Sequence, residues 1–69
     1  MTATNKQKTI IIQKIDKLLC IFSNASWARA TWTKDLNMLR LKYIYKDISL
    51  FELEKDYTFI KAMQELQLN

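Results

Sequence analysis

Apolar residues return at helical spacing over most of this chain. Ile11, Ile12, Ile15, Leu18, Leu19 and Phe22 fall on one side of a 3.6-residue period, with Lys6, Lys14 and Lys17 on the other, which predicts a helix over 6–22. The run Thr9-Ile10-Ile11-Ile12 has strand propensity, but the longer helical period outweighs it. Ser23-Asn24-Ala25-Ser26 is a break, because Ser and Asn side chains bond their own backbone and favour turns and caps. A second helix is expected over 34–46, with Thr33 as N-cap and Asp35 in the first turn. It carries two apolar stripes: Trp32, Leu36, Leu39 and Tyr43 on one side, and Met38, Leu41 and Tyr45 on the other. A helix that is apolar on two sides is normally sandwiched between its own core and something else.

The third region starts with a clear signal. Ser49 and Glu52 have capping-box spacing, and Ile48 and Leu53 stand where a hydrophobic staple would close around it. Leu50, Leu53, Tyr57 and Ile60 share a face, and the stripe then drifts to Phe59, Met63 and Leu66, which suggests a break at Asp56-Tyr57-Thr58. The expected fold is therefore all-α: a small bundle of three to four helices at about 6–22, 34–46, 49–56 and 58–67, forming one domain over 1–69. Residues 27–32 read either as a short helix capped by Ser26 or as an extended piece. The alternation Leu39, Leu41, Tyr43, Tyr45 keeps an α+β alternative open, with a ribbon pairing 27–33 and 38–45.

Composition sharpens this picture. The chain has neither Gly nor Pro, so hairpin turns lack their usual residues, and 49% apolar content is too high for disorder. Sixty-nine residues build only a small core, which favours added burial against a second chain, as a homodimer or with an obligate partner. Cys20 is the only cysteine and lies in an apolar helical run, where it reads as a buried, inert thiol in a reducing, cytoplasmic compartment. The stretch 10–22 is too short and too charged to span a bilayer, and no signal-peptide cleavage pattern follows it. Amphipathic helix 6–22 could lie on a membrane surface, but packing in a core explains the same pattern more simply.

Charge is unevenly placed. Residues 1–46 hold nine Lys or Arg against Asp16 and Asp35, a balance of +7, and residues 47–69 have a balance of −3. Such halves can attract an anionic partner, or each other head to tail in a dimer. Without His the commonest general base and metal ligand is absent, and without Gly no phosphate-cradling loop can form. Asp47, Glu52 and Asp56 fit a solvated acidic face better than a metal site. The reading is a non-enzyme with no cofactor, no metal and no small-molecule substrate. Arg29, Lys34, Arg40, Lys42, Lys46 and Lys61 are the candidates for nucleic-acid phosphates, with aromatics interleaved among them. Trp27, Met38, Leu41 and Tyr45 are the candidates for a partner interface.

The run Trp32-Thr33-Lys34-Asp35-Leu36, followed by Leu39-Arg40, Tyr43, Ile48-Ser49-Leu50 and Glu52-Leu53, resembles the start of a Myb/SANT-like three-helix domain. Ile60-Lys61-Ala62-Met63, with Leu66 and Leu68, is similar to that family's third helix. The resemblance implies helices near 34–45, 49–56 and 58–67, the last lying in a DNA groove. Lys61, Gln64 and Gln67 are what this sequence offers there to base edges. The first functional expectation is a small DNA- or RNA-binding regulator. The second is a protein-binding regulator, such as an antitoxin, a phage-encoded inhibitor or a small subunit of a larger assembly.

Overall fold

A computed structural model describes the backbone of residues 1–68 and the side chains of residues 1–66. Three helices form a bundle: α1 (Asn5–Ser23), α2 (Ala30–Tyr45) and α3 (Leu50–Leu68). The all-α reading holds. Residues 38–45, which the α+β alternative made a strand, lie within α2, and no strand occurs among the described residues.

α1 begins at a capping box that the sequence spells as Thr-x-x-Gln. The Gln7 backbone N–H donates to Thr4 Oγ1 at 3.2 Å, and the Thr4 N–H donates to Gln7 Oε1 at 2.8 Å. Ahead of it, the first residues run antiparallel to the α2–α3 loop. Ala3 N–H donates to the Ile48 carbonyl at 2.6 Å, and Leu50 N–H donates to the Met1 carbonyl at 3.3 Å. The Lys8 ammonium donates to the Lys46 carbonyl at 2.8 Å, occupying an acceptor at the C-terminus of α2.

α2 starts a full turn before the expected Thr33 cap. Arg29 stands at its N-cap with extended backbone and no side-chain capping bond, and neither Thr33 nor Asp35 plays the expected capping or first-turn role. The reason is Trp32. Its ring lies 5.8 Å from Phe22 and 6.1 Å from Trp27, so the helix has to be established before Trp32 to aim it at that cluster. Residues 27–32, read as a short helix capped by Ser26 or an extended piece, are divided: 24–28 form a turn closed by backbone bonds from Asn24, Ala25 and Ala28, and 30–32 are the first residues of α2.

α3 is one continuous helix, and the expected break at 56–58 is absent. The seam that faces the bundle follows Ser49, Leu53, Asp56, Ile60 and Met63, at alternating spacings of four and three. Asp56 occupies a core-stripe position, so the apolar pattern looked interrupted where the helix is not. Because residues 50–68 form one helix, the separate helices at 49–56 and 58–67 that a Myb/SANT-like domain requires are not formed. The side chains of Gln67 and Leu68 lie outside the described residues.

The core is Ile11, Ile15, Leu18 and Phe22 of α1, Leu36 and Tyr43 of α2, Ile48 of the loop, and Ile60 and Met63 of α3. α1 packs along both other helices. Cys20 is exposed, contrary to expectation, because it continues the outward line of Gln13 and Lys17 rather than the line of Leu18 and Phe22. No described helix is long and apolar enough to cross a membrane. Ile15 is wholly buried in the stripe that both partners of α1 share. Ile15→Ala is therefore expected to cost about 2–5 kcal/mol of stability, read as a lower urea midpoint with an unchanged slope.

Candidate functional site

The outer face of α2 stands out. Met38 is 61% exposed, Leu41 51% and Tyr45 79%, all on the side turned away from Leu36 and Tyr43, with Ile44, 41% exposed, at its flank. Met38, Leu39, Leu41 and Tyr45 line a shallow hollow of about 500 Å³, with Asp35 toward one end and Lys42 and Lys46 toward the other. Three of the four expected interface residues thus lie on one surface. The period that placed Leu36 and Tyr43 inside leaves Met38, Leu41 and Tyr45 roughly opposite. Ile44 adds to this surface and was missed, because in the sequence it falls between the two stripes.

Trp27, the fourth candidate, lies elsewhere. It is 49% exposed and stands edge-on to Phe22 at 5.6 Å, capping the end of the bundle where α1 turns into α2. A second hollow of about 350 Å³ runs between the first halves of α1 and α3, lined by Ile10, Ile11, Leu50, Leu53 and Tyr57 with Gln7 and Glu54 at its rim. The Lys14 ammonium sits 5.8 Å from the Tyr57 ring centre beside it.

The expected phosphate-binding cations do not gather on one face. Arg40 Nε donates to Asp16 Oδ1 at 2.6 Å, tying α2 to α1. Lys42 donates to Glu52 at 2.7 Å and lies 3.6 Å from Asp56, tying α2 to α3. The Arg29 guanidinium sits 5.9 Å from the Trp32 ring centre. Lys34 and Lys46 are exposed toward opposite ends of α2, and Lys61 is exposed on α3. The sequence shows the count of these charges but not their partners, which come from distant segments.

The α2–α3 link is the most developed polar arrangement among the described residues. The Tyr43 hydroxyl donates to Asp56 Oδ2 at 2.8 Å. Burial first, and then this bond to a carboxylate, push the Tyr43 phenol well above its ordinary pKa. The hydrogen bond from Lys42 holds the Glu52 carboxyl below its usual range, and the same contact raises Lys42 against the opposing effect of burial. Glu52 also belongs to the α3 cap: its backbone N–H donates to Ser49 Oγ at 3.1 Å, and the Ser49 hydroxyl donates back to Oε1 at 3.4 Å. In a full capping box the carboxylate would return to the Ser49 backbone N–H. Lys42 draws it toward α2 instead. The acidic residues serve helix packing here, and the described residues hold no cluster arranged to ligate a metal.

Comparison of the chain with protein-family models, curated proteins and solved structures gives no match. Its surfaces are therefore the guide to what it does.

The Tyr43–Asp56 bond has unequal ends. Tyr43 is 1% exposed, while the Asp56 side chain is 17% exposed and keeps Lys42 nearby. Asp56→Ala leaves a buried hydroxyl unpaired and is expected to cost about 1–3 kcal/mol, whereas Tyr43→Phe should cost about 0.5–1.5 kcal/mol, both read by urea unfolding at neutral pH. The raised phenol also sets a sign. Its contribution is fully present below the unfolded tyrosine pKa of about 10 and is lost as pH rises toward the higher folded value, because the unfolded chain releases a proton that the folded chain keeps. Stability measured at pH 8 and pH 11 should therefore fall less in Tyr43→Phe than in the wild type.

Proposed function

We propose that this chain is a non-catalytic interaction module that docks on another polypeptide through the outer face of α2. The observation that carries this reading is the exposed apolar surface of Met38, Leu41 and Tyr45 on a helix whose opposite side is already buried. A side chain such as Tyr45, held out in water on an ordered helix, gains free energy from contact with a second apolar surface. Aromatic and Met side chains are also the types enriched at protein–protein contacts. The chemistry available points the same way. The chain has no His and no Gly, and three of its carboxylates, Asp16, Glu52 and Asp56, are engaged with Arg40, Lys42 and Tyr43.

Binding of nucleic acid through Arg29, Lys34, Arg40, Lys42, Lys46 and Lys61 is the weaker reading. Arg40 and Lys42 are already neutralised by bonded carboxylates, and freeing either one means breaking a link between helices. The Myb/SANT-like route to DNA needs a separate third helix, and α3 runs through the position where that helix would begin.

A photo-crosslinking amino acid placed at Tyr45, in the native cell, should yield adducts whose mass is that of this chain plus a second polypeptide. The same probe at Lys17, on the outer side of α1, should yield few. Equal labelling at both positions would count against α2 as the docking face. So would salt-dependent nucleic-acid binding that Leu41→Glu leaves unchanged, since phosphate contacts alone would then explain the affinity.

A further inference from the structure

The geometry points to a second copy of this chain as the occupant of the α2 face, packed antiparallel about a two-fold axis beside Leu41. This rests on the docking role argued above and names the partner.

The first support is charge complementarity. In a two-fold contact the same patch meets itself, so residue i faces j and j faces i. The two ends of the α2 hollow carry Asp35 and Lys46, the C-cap residue of the helix. Both side chains are exposed. They stand on either side of a point beside Leu41. An antiparallel copy then brings Asp35 against the second copy's lysine at 46. By symmetry this pairing occurs twice. A parallel copy would instead set lysine against lysine and aspartate against aspartate. Opposed helix dipoles also favour the antiparallel arrangement.

The middle of the face fits the same axis. Leu41 meets Leu41, and Met38 meets the Tyr45 end in both directions. Lys42, at the flank, brings no loose charge into this contact, because Glu52 holds it at 2.7 Å.

The second support is the apolar content of the face. Met38 is 61% exposed, Leu41 51% and Tyr45 79%, and a two-fold contact would cover all three on both copies.

Sedimentation equilibrium of the purified 69-residue chain from low micromolar to millimolar concentration tests this. The wild type should be dimeric. Leu41→Glu should weaken the dimer by about 100-fold or more while retaining helical circular dichroism, since Leu41 takes no part in the core. Asp35→Lys and Lys46→Asp should each weaken it by about tenfold, and the double variant D35K/K46D should recover most of that loss. A double variant no better than the singles would overturn the antiparallel register. A wild type that stays monomeric throughout would overturn the second copy as occupant. If the Tyr45 probe still captures another polypeptide in cells, the docking role stands without self-association. If it captures none, both readings fail.

Discussion

A single stripe of α1 has to serve two helices at once. Ile11, Ile15, Leu18 and Phe22 are the whole fully buried contribution of that helix, and α2 and α3 both pack against it. Each partner can bury only the side it turns toward this stripe. α3 does so with Ile60 and Met63, aided by Leu53 and Phe59, and α2 with Leu36 and Tyr43, aided by Trp32 and Leu39. Nothing in a three-helix arrangement of this size remains to cover a second apolar side of α2. The exposed Met38, Leu41 and Tyr45 therefore follow from the geometry of a small bundle, in which the described residues form three helices and none lies over that side of α2. The N-terminal residues, which could have crossed that face, are held elsewhere by the Ala3–Ile48 and Leu50–Met1 bonds.

What the sequence revealed and what it concealed divide along physical lines. Periodicity gave the inward face of α1 and both stripes of α2, because local spacing alone decides which residues share a side of a helix. It also marked Ser49 and Glu52 as a start. It failed at Asp56, because a polar residue in a core seam looks the same as the end of a helix until its partner is known. That partner, Tyr43, lies thirteen residues away on another helix. The start of α2 was hidden for a similar reason: Thr33 is a good cap in isolation, but Trp32 is drawn into the cluster with Phe22 and Trp27. Cys20 was misjudged from its apolar neighbours when its own angular position pointed outward. The Thr4–Gln7 box needed no tertiary knowledge, since its motif stands in the sequence. Among the candidate site residues, the apolar ones on α2 could be located by spacing. Arg40 and Lys42 could not, because only the folded chain brings Asp16 and Glu52 to them.

A helix with two apolar sides presents the fold with a choice, and hydrophobic burial decides it only in part. Turning Met38, Leu41 and Tyr45 inward would also close a core, but would forgo Trp32 and Leu39 along with Leu36 and Tyr43. The polar contacts add to that difference. On one flank of the buried stripe Arg40 reaches Asp16 of α1, and on the other Lys42 reaches Glu52 of α3, while Tyr43 between them donates to Asp56. The inverted helix would lose all three contacts and leave Asp56 without its donors in the seam of the bundle, at a cost of several kcal/mol. Exposed ion pairs of this kind add little to stability by themselves. Their effect here is on orientation: they fix which apolar stripe closes the core and which is presented outward. The surface assigned to docking is thus selected in part by Arg40 and Lys42 on the flanks of the buried stripe, Lys42 also standing at the rim of that surface.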